Sequence, residues 1–273
     1  MIMGEKNIVL GLVGSPNREG RTNELVKAAL EGAAKAGSPT ELIQMSDHVV
    51  AACKDCLPWV CKDNHRCSYE DEAFEYLSQK VLNCGALILG TPVYWWDTSG
   101  MVKYFILKMF RVYARSAPLQ GLPAFGISIA GGSGNGFISG LRPVYHFFQI
   151  MQMRALEPVA TTRFNFSAAV KQSGERGAKI VEMIQQRTPF SGLEERLLWY
   201  DSLPYLGLSR AEERRLLASL ITMTLPANVG LALPSGLARA DALWAAGHRK
   251  ESLAEINQVY EAGIKAIDGI EVK

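Results

Sequence analysis

The sequence predicts an α/β protein: a parallel sheet covered by helices on both faces, followed by a helical extension. Three observations carry that expectation. The strand-like runs are apolar throughout rather than alternating, segments with helical periodicity separate them, and after Thr188-Pro189 the strand-like runs stop while helical ones continue.

Asn7 to Val13 is a short apolar run, Ile8-Val9-Leu10 with Leu12-Val13, that meets Gly14-Ser15-Pro16-Asn17 and then a helical pattern to Ala36. In that helix Leu25, Ala28, Ala29, Gly32, Ala33 and Ala36 recur at helical spacing, with mostly small side chains that permit close packing on a sheet. Thr40 to Met45 reads as a second, weaker strand. Ser68 with Asp71 resembles a capping box that opens a helix to about Asn83. Gly85 to Gly90 is a third strand, Thr91 to Thr98 a loop, and Ser99 to about Arg115 a helix. The pattern repeats: Ala124 to Ala130 is strand, Gly131 to Gly136 loop, and Phe137 to Met153 mostly helix. Leu156 to Arg163 is the fifth strand and Gly174 to Arg187 the fifth helix. Leu193–Tyr200, Arg210–Leu225, Ala238–Ala246 and Glu251–Ile267 then read as helices, and Ser209 with Glu212 forms a capping box. These elements divide the chain into residues 1–188, the α/β part, and 189–273, the helical extension.

Composition narrows the function classes. With 48% hydrophobic and 21% charged residues the chain has the profile of a soluble globular protein. Twenty-nine Lys and Arg against 27 Asp and Glu leave a net charge of +2, which gives no electrostatic footprint for nucleic acid. The stretch Met1 to Lys6 and the apolar run after it lack a leader's cleavage pattern. Two long uncharged stretches, Ala117–Leu141 and Leu216–Ala238, are broken by Gly131, Gly132, Gly134 and Gly136 in the first and by Pro226 and Pro234 in the second. Neither supplies the roughly 20 continuous apolar helical residues of a membrane span. The expectation is a cytoplasmic protein that engages neither nucleic acid nor membrane.

Open parallel sheets bind ligands at the carboxyl ends of their strands. Three strand-ending loops here have unusual composition. The first offers hydroxyls on Ser15 and Thr22, an amide on Asn17, the Arg21 guanidinium and the N-terminus of the next helix, a combination suited to a terminal phosphate. It lacks both the Gly-Lys-Ser/Thr of a nucleotide-triphosphate loop and the Gly-x-Gly-x-x-Gly dinucleotide fingerprint, so a mononucleotide phosphate fits better. The second, Thr91-Pro92-Val93-Tyr94-Trp95-Trp96-Asp97-Thr98, places three consecutive aromatic residues where a turn is normally polar. Such rings stack on a planar heterocycle or pack beneath another part of the protein. The third, Gly131-Gly132-Ser133-Gly134-Asn135-Gly136, has almost no side chains and admits close approach of a ligand to its backbone.

Four of the five cysteines crowd into one segment, spaced Cys53-x2-Cys56-x4-Cys61-x5-Cys67. In a reducing compartment such clustering points to metal binding or redox activity rather than to a disulfide framework. The residues alone leave an iron–sulfur cluster, zinc and unliganded thiols open. Cys84, between a helix and a strand, reads as a buried small hydrophobe.

Gly14-Ser15-Pro16-Asn17 through Thr22, the Cys53-x-x-Cys56 segment, and Thr91 to Trp96 followed by a helix carrying Lys103 resemble the flavodoxin-like NADPH-dependent FMN reductase and iron–sulfur flavoprotein family, over about residues 7 to 187. The resemblance implies a flavodoxin-like five-stranded parallel sheet in the order 2-1-3-4-5. By position, Ser15, Asn17, Arg21, Thr22 and Asn23 would hold the FMN phosphate, Pro92, Val93, Tyr94 and Trp95 would flank the isoalloxazine, and Gly131 and Gly132 would line its far side. It also implies Cys53, Cys56, Cys61 and Cys67 as ligands of a 4Fe-4S cluster, although the family's iron–sulfur members carry Cys-x-x-Cys-x-x-Cys and this chain has an enlarged second gap holding Pro58 and Trp59. A homodimer or homotetramer is implied too.

The expected function is an FMN-dependent oxidoreductase that takes a hydride from NAD(P)H and passes electrons to a quinone, flavin or nitro-type small molecule. No catalytic side chain is expected, because the flavin carries the chemistry. One alternative is an iron–sulfur flavoprotein relaying single electrons from a ferredoxin-like donor. A ligand-free interaction scaffold is the other. In the helical tail, Trp199, Tyr200 and Trp244 are candidates to cap the flavin.

Overall fold

A computed structural model describes residues 7–226 and 229–271; Met1–Lys6, the stretch read for a leader, lies outside them. Seven strands form one sheet: β1 (Val9–Val13), β2 (Thr40–Gln44), β3 (Ala86–Tyr94), β4 (Asp97–Thr98), β5 (Pro123–Ala130), β6 (Arg154–Ala155) and β7 (Val159–Thr162). β1 lies between β2 and β3, both parallel to it, in registers that run from Val9↔Thr40 to Val13↔Gln44 and from Val9↔Ala86 to Val13↔Gly90. β3 pairs in parallel with β5, and β5 takes both β6 and β7.

The five principal strands therefore follow the expected 2-1-3-4-5 order, with two departures. The fifth strand is split into β6 and β7 around Leu156-Glu157-Pro158, where Pro158 lacks the N–H a ladder needs. The expected loop Thr91–Thr98 is instead a tight hairpin, because β3 continues to Tyr94 and β4 returns antiparallel against it.

Helices α1 (Arg21–Lys35), α2 (Cys61–Asn64), α3 (Glu72–Asn83), α4 (Gly100–Tyr113), α5 (Leu141–Ile150), α6 (Phe166–Gln185) and α7 (Leu193–Asp201) connect or follow these strands. Val9, Val13, Leu25, Val26, Ile88, Phe125, Ile127 and Ile180 form the core between sheet and helices, all essentially out of solvent. The small residues of α1 serve a helix contact as well as the sheet. A Cβ on Gly32 would stand 1.9 Å from the Gly174 carbonyl oxygen, and one on Gly177 1.8 Å from that of Ala29, so α1 and α6 touch backbone to backbone.

Three boundaries differ from the sequence reading. The cap of α3 is Asp71, whose side chain accepts from the Phe74 N–H, rather than Ser68. α5 begins only at Leu141, after a series of turns. α6 starts at Phe166 because Gly174 and Gly177 lie inside the helix, where their lack of a side chain permits the contact with α1.

By contacts the chain forms two compact units. The first holds the residues up to Ala130 together with Gly136–Thr161 and Phe166–Leu206, and so includes α7. The second holds Gly131–Asn135, Thr162–Asn165 and the segment from Gly207 onward. The change from strands to helices near residue 188 precedes this division. In the second unit α8 (Arg210–Thr224), α9 (Leu233–Ala245) and α10 (Arg249–Glu271) pack through Leu217, Ile221, Leu237, Ile256, Val259 and Tyr260. The expected capping box opens α8: the Ser209 N–H donates to Glu212 Oε2 at 2.8 Å and the Glu212 N–H to Ser209 Oγ at 3.3 Å. Among the described residues no helix is long and apolar enough to cross a membrane.

Candidate functional site

The first loop leaves the carboxyl end of β1 and turns into α1. Gly14 is required there: its N–H donates to the Gly90 carbonyl at 2.8 Å, and a Cβ would stand 2.2 Å from Val102 Cγ2. The loop is braced internally, Asn17 N–H to Ser15 Oγ at 3.2 Å and Glu19 N–H to Asn17 Oδ1 at 3.0 Å. Gly20 caps α1 without a side-chain bond, so the N–H groups of the helix's first turn have no side-chain partner and form an electropositive terminus.

Of the five residues expected around a phosphate, Ser15, Thr22 and Asn23 are buried and Asn17 is exposed on the loop. The exposed Arg21 has its guanidinium carbon 5.3 Å from the centroid of Phe166 at the start of α6. Asn23 turns inward: its Nδ2 donates to the Arg18 carbonyl, while its Oδ1 is buried without a partner. Gln44, at the end of β2, was not singled out by the sequence reading. Its Nε2 donates to the Ser15 carbonyl and its Oε1 is likewise buried without a partner.

The second loop has a well-defined geometry. Val93 pairs with Thr98 and Tyr94 with Asp97, leaving Trp95 and Trp96 as the two turn residues. Their φ angles are +54° and +58°. A two-residue turn with both φ positive is the type I′ hairpin turn, whose usual occupants are Asn and Gly; a bulky L-residue there costs roughly 1–2 kcal/mol. Trp95 is 90% exposed, and its ring meets that of Trp96 edge to face at 5.7 Å. Tyr94 and Trp96 are exposed too, while Pro92 is buried and Val93 is half-buried. Two contacts hold the turn. Lys103 Nζ reaches Asp97 Oδ2 at 2.8 Å, and Gly136, at φ +82°, lies so close that a Cβ there would be 3.0 Å from Trp96 Cα.

The two loops are tied together. Ser99 caps α4, receiving the Val102 N–H, and its Oγ donates to the Gly14 carbonyl at 2.7 Å. Thr91 Oγ1 receives both Thr98 Oγ1 at 2.6 Å and the Ser99 N–H at 3.0 Å. The uncapped helix end and the aromatic hairpin thus stand on one edge of the sheet. Gly131 and Gly132 follow Ala130 of β5 but group with the second unit; both are exposed, and a Cβ on either would meet no heavy atom within 4 Å.

Cys53, Cys56, Cys61 and Cys67 are all free, half-buried, and line one cavity of about 500 Å³ together with Lys54, Lys108 and Arg111. Lys108 Nζ forms an ion pair with Asp71 in which the two side chains are only 5% and 6% exposed. Trp59, from the enlarged gap, donates its Nε1–H to the Arg111 carbonyl at 2.7 Å, and the Arg111 guanidinium lies 4.5 Å from its ring centroid. Among the described residues no three His, Cys, Asp or Glu side chains are gathered to hold a metal ion. Cys84 is buried as expected, and burial pushes its thiol up to about 12.

Trp199 and Tyr200 do not sit as expected. Trp199 Nε1–H donates to the Ala155 carbonyl and Tyr200 Oη–H to that of Met153, both at 2.8 Å, so they anchor α7 at the amino-terminal end of the fifth strand, away from the strand ends that carry the site. Trp244 stacks with Arg249 at 3.7 Å inside the second unit.

A family model described as NADPH-dependent FMN reductase matches residues 8–165. An iron–sulfur flavoprotein of Methanocaldococcus jannaschii is 29% identical over 145 residues, 53% of this chain and 73% of the relative. Among solved structures, RosB with a bound 8-demethyl-8-formylriboflavin-5′-phosphate intermediate is similar over 70% of this chain and 84% of its own, with TM-score 0.53 and 16% identity. A flavone reductase gives TM-score 0.51 and 15% identity over 65% of this chain, which spans 63% of that protein. At these identities the two structures bear on the fold alone.

Proposed function

The chain belongs to the NADPH-dependent FMN reductase family, and from that premise we propose that it binds FMN and carries a hydride from NAD(P)H to a quinone, flavin or nitro-type small-molecule acceptor. The observation that carries this reading is the pairing, through Ser99 and Gly14, of an uncapped helix N-terminus with an aromatic hairpin at one sheet edge. The residues fit the cofactor. Hydroxyls on Ser15 and Thr22, the first-turn amides of α1 and the Asn17 amide suit its phosphate.

When bound, the flavin supplies the two-electron and one-electron chemistry. In this reading Arg21 and Asn23 complete the phosphate site and Pro92, Val93, Tyr94 and Trp95 flank the ring. The protein's task is to hold and orient. The strained turn fixes Trp95 and Trp96 outward, and its Lys103–Asp97 and Gly136 braces keep them there against their backbone preference. Five free thiols favour a reducing compartment such as the cytoplasm, and we take the protein to act as a homodimer or homotetramer. Steady-state assays with NADH and NADPH against a panel of quinones, flavins and nitro compounds test the proposal: turnover supports it, and no oxidation of either nicotinamide with any acceptor overturns it.

A second reading, an iron–sulfur flavoprotein that relays single electrons from a ferredoxin-like donor, is favoured by one observation, the four thiols lining one cavity. The donor chemistry suits a cluster and the name of the Methanocaldococcus jannaschii relative agrees. The placement of the thiols does not gather a ligand set, so no electron-transfer step is assigned to them. Iron and acid-labile sulfide analysis of anaerobically purified protein separates the two readings.

A further inference from the structure

Gln44 ends β2 between Ile43 and Met45, both buried, and pairs in register with Val13, the last residue of β1 before the first loop. Its side chain is 6% exposed. A carboxamide in such apolar surroundings is costly to bury unless it bonds. It does so with one half only: Nε2 donates to the Ser15 carbonyl, and Oε1 is left without a partner. Asn23 does the same from the other side, with Nδ2 on the Arg18 carbonyl. Two buried carboxamides therefore grip the carbonyls at the two ends of the segment Ser15 to Arg18.

A loop that receives an anion needs its N–H groups and hydroxyls facing the ligand and its carbonyl dipoles held elsewhere. Pro16 follows Ser15 and has no N–H, so the Ser15 carbonyl is a group whose free lone pairs would only repel a phosphate. Gln44 occupies it. Holding that peptide also fixes the backbone from which the Ser15 hydroxyl projects.

We infer that Gln44 is a positioning residue of the phosphate loop and sets the preference for a phosphorylated over an unphosphorylated flavin. The inference rests on the FMN reading above and adds to it a residue outside the loop. Its effect is exerted through Ser15, so it acts on the phosphate end of the ligand and leaves the ring end unchanged.

The test is equilibrium binding of FMN and of riboflavin, by flavin fluorescence, to wild-type protein, Gln44→Met and Gln44→Glu. Methionine keeps the length and volume of the side chain and removes both hydrogen-bonding groups. The expected result for Gln44→Met is an FMN Kd raised about tenfold, as for loss of one buried hydrogen bond that orphans a carbonyl, with the riboflavin Kd changed less than about twofold. Gln44→Glu, which cannot donate to the Ser15 carbonyl when ionised, should raise the FMN Kd further. Because the readout is the ratio of two ligands on one variant, a partly destabilised protein still reports it. An equal loss for both flavins, or no loss for either, overturns the inference while leaving the FMN reading intact. Wild-type protein that binds neither flavin overturns the FMN reading itself.

Discussion

Ser99 and Gly14 are separated by 85 residues in sequence and joined by a 2.7 Å hydrogen bond, from the serine hydroxyl to the glycine carbonyl. The same Ser99 oxygen accepts the Val102 N–H at 3.4 Å, so one side chain caps α4 and fastens the first loop to the hairpin. Removing it should do two things. Ser99→Ala is expected to lower stability by about 1–2 kcal/mol through the lost cap and the orphaned carbonyl. It should also weaken FMN binding, because the phosphate end and the ring end of the site are no longer held in register. Urea denaturation and flavin titration of one preparation measure both; a loss of stability with unchanged FMN affinity would separate the cap from the site.

Trp95 and Trp96 occupy a turn that favours Asn and Gly. Replacing the pair by Asn-Gly should stabilise the protein by about 2 kcal/mol, since two bulky residues leave the left-handed region. The same change should impair flavin or acceptor binding by removing the exposed rings. A variant that melts higher and turns over as well as wild type would show that the aromatic tip has no part in function.

Lys108 and Asp71 form a nearly buried ion pair beside the cysteine cavity. Burial acts to raise the Asp71 carboxyl, but the Lys108 ammonium and the N–H groups of Phe74 and Ala51 outweigh it and hold the group below its ordinary value near 3.8. A depressed folded-state value means stability that is fully present above the unfolded value and lost as pH falls through the folded one. The stability gap between wild type and Asp71→Asn should therefore narrow below about pH 4. At pH 7 Lys108→Met, which leaves the buried carboxylate without its counter-charge, should cost about 3 kcal/mol. Denaturation midpoints from pH 3 to 7 check both.

Cys84 is 4% exposed and its thiol is pushed up to about 12, whereas the other four cysteines are half-buried along an open cavity. In metal-free native protein at pH 7.5, brief iodoacetamide treatment should label Cys53, Cys56, Cys61 and Cys67 and spare Cys84. Peptide mass mapping would contradict this if Cys84 were labelled as fast as the rest.

The sheet was legible because a doubly covered parallel sheet writes itself as apolar runs such as Ala86–Leu89 between helical segments. The Ser209–Glu212 capping box was legible for the same kind of reason, since its chemistry is local. The hairpin at Trp95-Trp96 was not: the residues disfavour the φ angles they adopt, and Gly136 and Lys103, distant or weakly marked in sequence, help hold them there. Gln44 was invisible because one polar residue ending an apolar strand looks like an ordinary strand terminus until its partner across the loop is known. Asp71 displaced Ser68 as a cap because Lys108, 37 residues away, fixes it in place.

The account stands most directly on whether the chain takes up FMN. An anaerobic visible spectrum, recorded on the purified protein and again after incubation with FMN and gel filtration, answers that. The expected result is flavin absorbance retained by the protein, bleached on addition of NADPH or NADH, and released as FMN on denaturation. Protein that stays colourless after incubation contradicts the account and leaves the aromatic hairpin as a surface for some other partner.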